Sequence, residues 1–356
     1  MNQEKYLEEF KYLKVVMMLF IVLYHSVALW LPEGWFNQAP ATSNKVFTLL
    51  AQWLNFIHIY VFVFISGYIF YYLKIVIRKY NKFSEFVRKK TLRLIVPYIS
   101  FGILWCIPFY VLFYHPSFHE IIKNYLFGYG PAQLWYILML FFLFIMVYYP
   151  SKYLIKLKGV NIQILCVSLY MLYIVGSVYL KLPFQLWSVC KFMPFFILGM
   201  SLRKYDYQIM NNYMCIILLC INLVMLYIYI KMPENTIIYS LLRKIVAYFI
   251  SYTGILEMIT INHRLQYLKI WSTRLYKVFE KNSFAIYLIH QQIIWCVVTA
   301  LNSKVSSVIL AICNVTISCS LSILLAEFLR KNKITSLFIG EKQFSVKGRE
   351  KEERMR

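Results

Sequence analysis

Residues 49–73, LLAQWLNFIHIYVFVFISGYIFYYL, run from end to end without lysine, arginine, aspartate or glutamate. The hydrocarbon layer of a bilayer is about 30 Å thick and a helix rises about 1.5 Å per residue, so roughly 20 such residues are enough to cross it. The run therefore predicts a membrane-spanning helix. Working outward, further apolar runs near 15–31, 94–114, 133–150, 160–180, 186–202, 213–230, 236–259, 284–301 and 305–329 repeat the signal. Composition agrees: of 356 residues 61% are hydrophobic and 15% charged, with a mean hydropathy of +0.60. The prediction is an all-α integral membrane protein, a bundle of about ten transmembrane helices.

The formal charge of +23 would suit nucleic-acid binding if it gathered on a solvated domain. Instead the lysines and arginines sit between apolar runs, so no nucleic-acid partner is expected. They also alternate. One set of connections carries clusters such as Lys74, Arg78, Lys79, Lys82, Arg88, Lys89, Lys90 and Arg93, then Lys152, Lys156 and Lys158, then Arg203 and Lys204. The intervening loops 32–48, 115–132, 181–185, 231–235 and 302–304 carry single lysines. Short cytoplasmic loops are enriched in lysine and arginine, which predicts that both termini are cytoplasmic. The first run is expected to be a retained helix rather than a signal peptide, because Lys5, Lys11 and Lys14 are matched by Glu4, Glu8 and Glu9. The chain divides into a membrane domain, 1–330, and a basic cytoplasmic tail, 331–356, ending in KGREKEERMR. With no soluble catalytic domain in view, any chemistry is expected inside the bundle.

Polar groups within a span are costly unless they face the bundle interior, so they mark candidate sites. His25 follows Lys14 by eleven residues on the first span. Eleven steps of about 100° return within about 20° of the starting direction after a rise of roughly 16 Å. Lys14 at the cytoplasmic mouth and His25 near mid-depth thus share a face. His58 on the second span and His290 on the ninth reach similar depth, and the three imidazoles are candidates for one interior cavity. The alternative for each is an interior histidine hydrogen-bonded to a neighbouring helix. Glu257, near the inner end of the eighth span, either lines the cavity or snorkels to the surface. The eight cysteines show no CxxC pair or metal-ligand spacing, and no metal site is expected. Lys89, Lys90 and Arg93 directly precede LIVPY, where the third span begins; cations held there can grip phosphates as well as set topology.

Several segments resemble the acyltransferase-3 family of integral membrane proteins. That family's marker is an arginine or lysine, ten intervening residues, then histidine in the first span, and KVVMMLFIVLYH from Lys14 to His25 is similar. FIHIYVFVFISGYIF, KKTLRLIVPY, QLWYILML, FMPFFILGM and SFAIYLIHQQI follow in the family's order. The family's basic pair, normally R-x-x-R, stands here as Lys90 and Arg93. Lysine replaces arginine at the first position of both motifs, exchanging a bidentate fork for a point charge.

The resemblance implies transfer of an acetyl or other short acyl group from cytoplasmic acyl-coenzyme A to a hydroxyl of a cell-surface polysaccharide or its lipid-linked precursor, in the cell membrane. Acetyl-CoA is then a donor substrate, and no permanently bound cofactor is expected. In this scheme His25 is the catalytic base, because a sugar hydroxyl is a poor nucleophile until a positioned imidazole takes its proton. Lys14, Lys90 and Arg93 hold the donor's phosphates. Trp135, Tyr136 and Tyr287 are candidates to stack on, or hydrogen-bond to, sugar or pantetheine. Expected partners are acyl-CoA, the glycan acceptor and membrane lipid. A glycan transporter or flippase is the rival reading; the lack of an internal repeat weighs against a transporter built from inverted halves.

Overall fold

The computed structural model describes residues 3–205, 212–233, 235–265 and 267–341. Among these there is no strand, and eight helices are long and apolar enough to cross a membrane. In chain order the apolar helices are α1 (Phe10–Trp30), α2 (Lys45–Val76), α3 (Phe83–Tyr114), α4 (Ala132–Tyr148), α5 (Gly159–Tyr179), α6 (Leu186–Arg203), α7 (Cys215–Lys231), α8 (Ile237–Leu265), α9 (Arg274–Leu301) and α10 (Ser307–Leu329). Two of these, α4 and α7, are shorter apolar helices than the other eight. Each covers one predicted run, and the chain is a multi-pass, all-α membrane protein.

Several helices begin earlier or end later than hydropathy predicts. The third run starts near 94 by hydropathy, yet α3 begins at Phe83, so Lys90 and Arg93 lie inside the helix rather than ahead of it. The ninth begins at Arg274 instead of 284, and the eighth continues to Leu265 instead of 259. A helix needs only its own backbone hydrogen bonds to continue past the bilayer, and long cationic side chains keep their heads polar while their stems cover apolar surface. Hydropathy reads the lipid-soluble part of a helix and misses this remainder.

Burial sorts the helices. Of the apolar window of α9, 72% is buried inside the bundle, against 22% for α5. Helix α9 is thus central, packed by α1 and α10, while α5 lies at the periphery against α6. Helices α2 and α6 approach each other closely. A Cβ built on Gly67 would meet the Phe196 carbonyl, and one built on Gly199 would meet the Phe64 carbonyl. Small residues at such a crossing let the backbones touch, the usual source of helix association where lipid is as apolar as protein. Gly67→Ala is expected to cost about 1–3 kcal/mol through overpacking, read as a lower melting temperature in detergent. Gly159→Ala, whose Cβ would meet nothing within 4 Å, is the control and should leave that temperature unchanged.

Two local features shape the site. Helix α2 is interrupted at Phe56–Ile57, where Ile57 N–H donates to the Leu54 carbonyl at 3.0 Å in place of a full α-turn. Helix α3 contains wide π-turns at Thr91–Ile95 and Gly102–Cys106 beside Pro97 and Pro108. Such irregular turns commonly accompany functional positions.

The predicted boundary at 330 falls on a polar latch. Arg330 grips both oxygens of Glu341 at 2.8 Å, which folds α11 (Lys333–Phe338) back onto α3. There Arg93 Nη1 donates to the Gly340 carbonyl at 3.1 Å. Gly340 has φ +66, and a Cβ would press on the Arg93 carbonyl at 2.9 Å, so glycine is required for this approach. Positions 342–356, the rest of the predicted tail, lie outside the described residues.

Orientation is an expectation carried by the basic connections. Single cysteines introduced by Lys82→Cys and Asn37→Cys, at opposite ends of α2, test it in a background lacking the native cysteines. An impermeant maleimide added to whole cells should label position 37 and spare position 82. The reverse pattern would put the donor mouth on the wrong side.

Candidate functional site

Two helices bring the predicted donor cations together. Lys14 from α1 and Lys90 and Arg93 from α3 line one cavity of about 240 Å³, although the two motifs lie far apart in the chain. Lys14 is within electrostatic reach of Arg93 and of Glu280 on α9. Lys90 Nζ stands 3.4 Å from the Phe144 ring centroid and Arg93 stacks on Phe284 at 4.3 Å. These aromatic faces hold the cations in place without neutralising them. Arg93 spends one N–H on Gly340, and a guanidinium has five, so most of the fork remains for a guest.

Deeper in, the walls of this cavity are apolar, formed by Ile21, Phe62, Ile65, Ile137 and Leu140, with Tyr136 and Tyr287 near its inner limit. Tyr136 and Tyr287 meet edge to face at 5.8 Å. The hydroxyl of Tyr287 donates to the Gln133 carbonyl, and the side chains of Gln133 and Gln292 exchange hydrogen bonds of 2.6 and 3.0 Å. This buried amide pair joins α4 to α9 and holds the tyrosine. Sequence reading missed it, though two glutamines in apolar runs were a visible signal.

One helical turn beyond Ile21 on the same helix stands His25. The three predicted histidines do converge: the rings of His25 and His290 lie 5.0 Å apart, and Tyr24 contacts both His25 and His58 at 4.9 Å. They are not equivalent. His58 Nδ1 sits 2.5 Å from the Leu54 carbonyl at the break in α2, which also accepts from Ile57 N–H, and His290 Nδ1 sits 2.8 Å from the Ile286 carbonyl. A ring nitrogen facing a carbonyl must carry the proton, which assigns the tautomer of both. His25 makes no such bond among the described residues, and its Nδ1 is buried. His25 is also only partly buried, whereas His58 and His290 are 3% and 0% exposed. Trp35, from the loop after α1, covers its ring at 5.2 Å. The described lining of neither large cavity includes any of the three.

The second cavity, of about 420 Å³, opens at the opposite end of the bundle. Trp135 belongs to it, while the adjacent Tyr136 belongs to the first cavity. Tyr60 on α2 likewise faces the second cavity and Phe62 the first, so one aromatic layer separates the two. Glu257 lines neither. It does not snorkel either, being 1% exposed, and both its carboxylate oxygens lack a hydrogen-bond partner among the described residues.

A family model described as an acyltransferase domain, acyltransferase-3, matches residues 7–327. The chain belongs to the acyltransferase-3 family. No curated protein and no solved structure matches it. Acyl transfer is therefore the chemistry an acyltransferase-3 bundle of this kind must house, and the matched span contains every candidate residue from Lys14 to His290. The arrangement suits that chemistry, with a cation-rimmed mouth, an apolar passage, and an imidazole without a fixed hydrogen bond on the same helix as one of the rim cations.

Proposed function

We propose that this acyltransferase moves an acetyl group, or another short acyl group, from acyl-coenzyme A to a hydroxyl of a cell-surface polysaccharide or its lipid-linked precursor, working in the cell membrane. The observation that carries the reading is on α1. Lys14 lines the first cavity beside Lys90 and Arg93, and His25, farther along that helix, is the one of the three converging imidazoles whose Nδ1 has no hydrogen-bond partner among the described residues.

The chemistry follows from the layout. The phosphates of coenzyme A are anionic and suit the three cations at the mouth, where charge-assisted hydrogen bonds are strong. Its pantetheine arm is uncharged and suits the apolar passage past Tyr136 and Tyr287. The thioester then lies near His25. The acceptor hydroxyl attacks the carbonyl carbon while His25 takes its proton. The C–S bond breaks, and the departing thiolate takes that proton from the imidazolium, leaving an ester and free coenzyme A. Every atom comes from the two substrates, so acetyl-CoA acts as a consumed donor.

The test is the acetyl content of surface polysaccharide, released by mild alkali from matched cells with and without this protein. A loss of glycan-bound acetyl in its absence is expected. Unchanged acetyl on a glycan that reaches the surface in reduced amount would favour transport and remove the proposal.

A further inference from the structure

Three cations stand inside the half of the bundle remote from the donor mouth, where sequence reading registered only single lysines in short loops. Lys191 lies five residues into α6, and Arg243 and Lys244 lie six and seven residues into α8, roughly 8–11 Å along their helices from the ends remote from that mouth. They converge on the second cavity. Ionisable groups at such depth are costly and, when kept, face a polar interior or a partner.

The walls around them are polar and aromatic. Tyr60, Tyr170, Tyr173, Tyr229 and Trp135 ring the space. Lys191 Nζ lies 5.6 Å from the Tyr60 ring and Lys244 Nζ lies 5.4 Å from Tyr173, while Arg243 stacks on Tyr229 at 4.3 Å. Lys244 donates to Ser177 Oγ at 3.1 Å, a neutral acceptor that leaves its charge intact. Lys191 and Lys244 are within electrostatic reach of each other. The described lining contains no carboxylate. The like charges of Lys191 and Lys244 repel in a partly dehydrated cavity, and an anionic guest removes that cost while its own charge gains short, charge-assisted hydrogen bonds.

We infer that the second cavity is a binding site for an anionic sugar compound, in which Lys191 and Lys244 hold a carboxylate or phosphate and Trp135 and the tyrosines pack against the sugar. The inference rests on the acceptor role in the reading above and narrows it to acceptors that carry negative charge beside the acylated sugar. Trp135 places such a guest one residue from Tyr136 of the donor cavity, across the aromatic layer that His25 adjoins through Tyr24 and His58. The same chemistry has two sources, an acidic sugar of the glycan or the phosphate of its lipid carrier.

The experiment uses the purified full chain in octaethylene glycol monododecyl ether, a detergent with neither sugar nor phosphate, and isothermal titration calorimetry. One arm compares trigalacturonate with its methyl ester; the other compares farnesyl phosphate with farnesol. At least one anion should bind about tenfold or more tightly than its uncharged counterpart, the value of a hydrogen bond to a charged group. Lys191→Gln and Lys244→Gln should each lose that advantage, and Lys191→Arg should keep it. The arm that responds names the source. Equal binding of each anion and its neutral counterpart, or undiminished binding by the glutamine variants, would overturn the inference. If a glutamine variant fails to insert, the same comparison on Lys90→Ala with Arg93→Ala protein, whose donor mouth has lost two of its three cations, decides the matter: the anion preference should persist, and its loss would overturn the inference. Because no acyl donor is present, failure here is distinct from failure of the acyl-transfer reading.

Discussion

His25→Ala is expected to lower acyl transfer by about 10²–10⁴-fold, the usual loss when a positioned general base is removed. Alanine cannot accept the hydroxyl proton, and the base is lost from the helix that carries Lys14. His58 and His290 each direct Nδ1 at a carbonyl four residues earlier in the chain, which orients their rings and leaves Nε2 as the unprotonated nitrogen, so both belong in the comparison. The measurement is acetyl released from purified polysaccharide, normalised to inserted protein. His58→Ala and His290→Ala supply the comparison: each removes a buried ring and its backbone bond, so insertion and thermal stability should fall at least as far as turnover. Near-normal transfer by inserted His25→Ala protein would end the assignment of His25 as base.

The double substitution Lys90→Ala with Arg93→Ala should weaken binding of acetyl-CoA by about 10²–10⁴-fold, since each of the two charge-assisted contacts contributes about 1.5–3 kcal/mol. Calorimetry on the purified chain reads it, and the loss should shrink as salt is raised because the contacts lie at the mouth. Lys89→Ala is the control from the same basic stretch. Its side chain faces outward and pairs with Glu85 at 2.5 Å, away from the cavity lining. An equal loss from Lys89→Ala would reduce the effect to general surface charge, and no loss from the double variant would leave Lys90 and Arg93 with topology alone. A basic cluster sets membrane orientation regardless of where each charge points, whereas phosphate binding needs those that line the cavity.

The two families of cation illustrate how differently charge can be read in one chain. Lys14, Lys90 and Arg93 stand out in the sequence because they border apolar runs in motifs with a known spacing. Lys191, Arg243 and Lys244 are equally visible as letters, yet fall within runs whose average remains apolar, so a window that sums hydropathy passes over them. Glu257 is conspicuous but misleading: its closeness to a helix end suggests a route to the surface, whereas α8 continues to Leu265 and keeps the carboxylate inside.

The sequence by itself determined what each helix does alone. An apolar run of sufficient length must close its backbone hydrogen bonds internally in lipid, so helical structure and the approximate position of every span followed from local composition. The shared face of Lys14 and His25 followed from the helical period, which needs no partner. Tertiary structure decided what neighbouring helices do together. Which faces meet depends on how each helix is rotated and how closely it approaches, and those are set by contacts such as Gly67 on the Phe196 carbonyl and by the Gln133–Gln292 pair. Only that packing gathers Lys14, Lys90 and Arg93 on one cavity, distinguishes His25 from its two hydrogen-bonded neighbours, and turns Lys191 and Lys244 toward a second cavity, because a side chain's surroundings are supplied by helices far away in the chain.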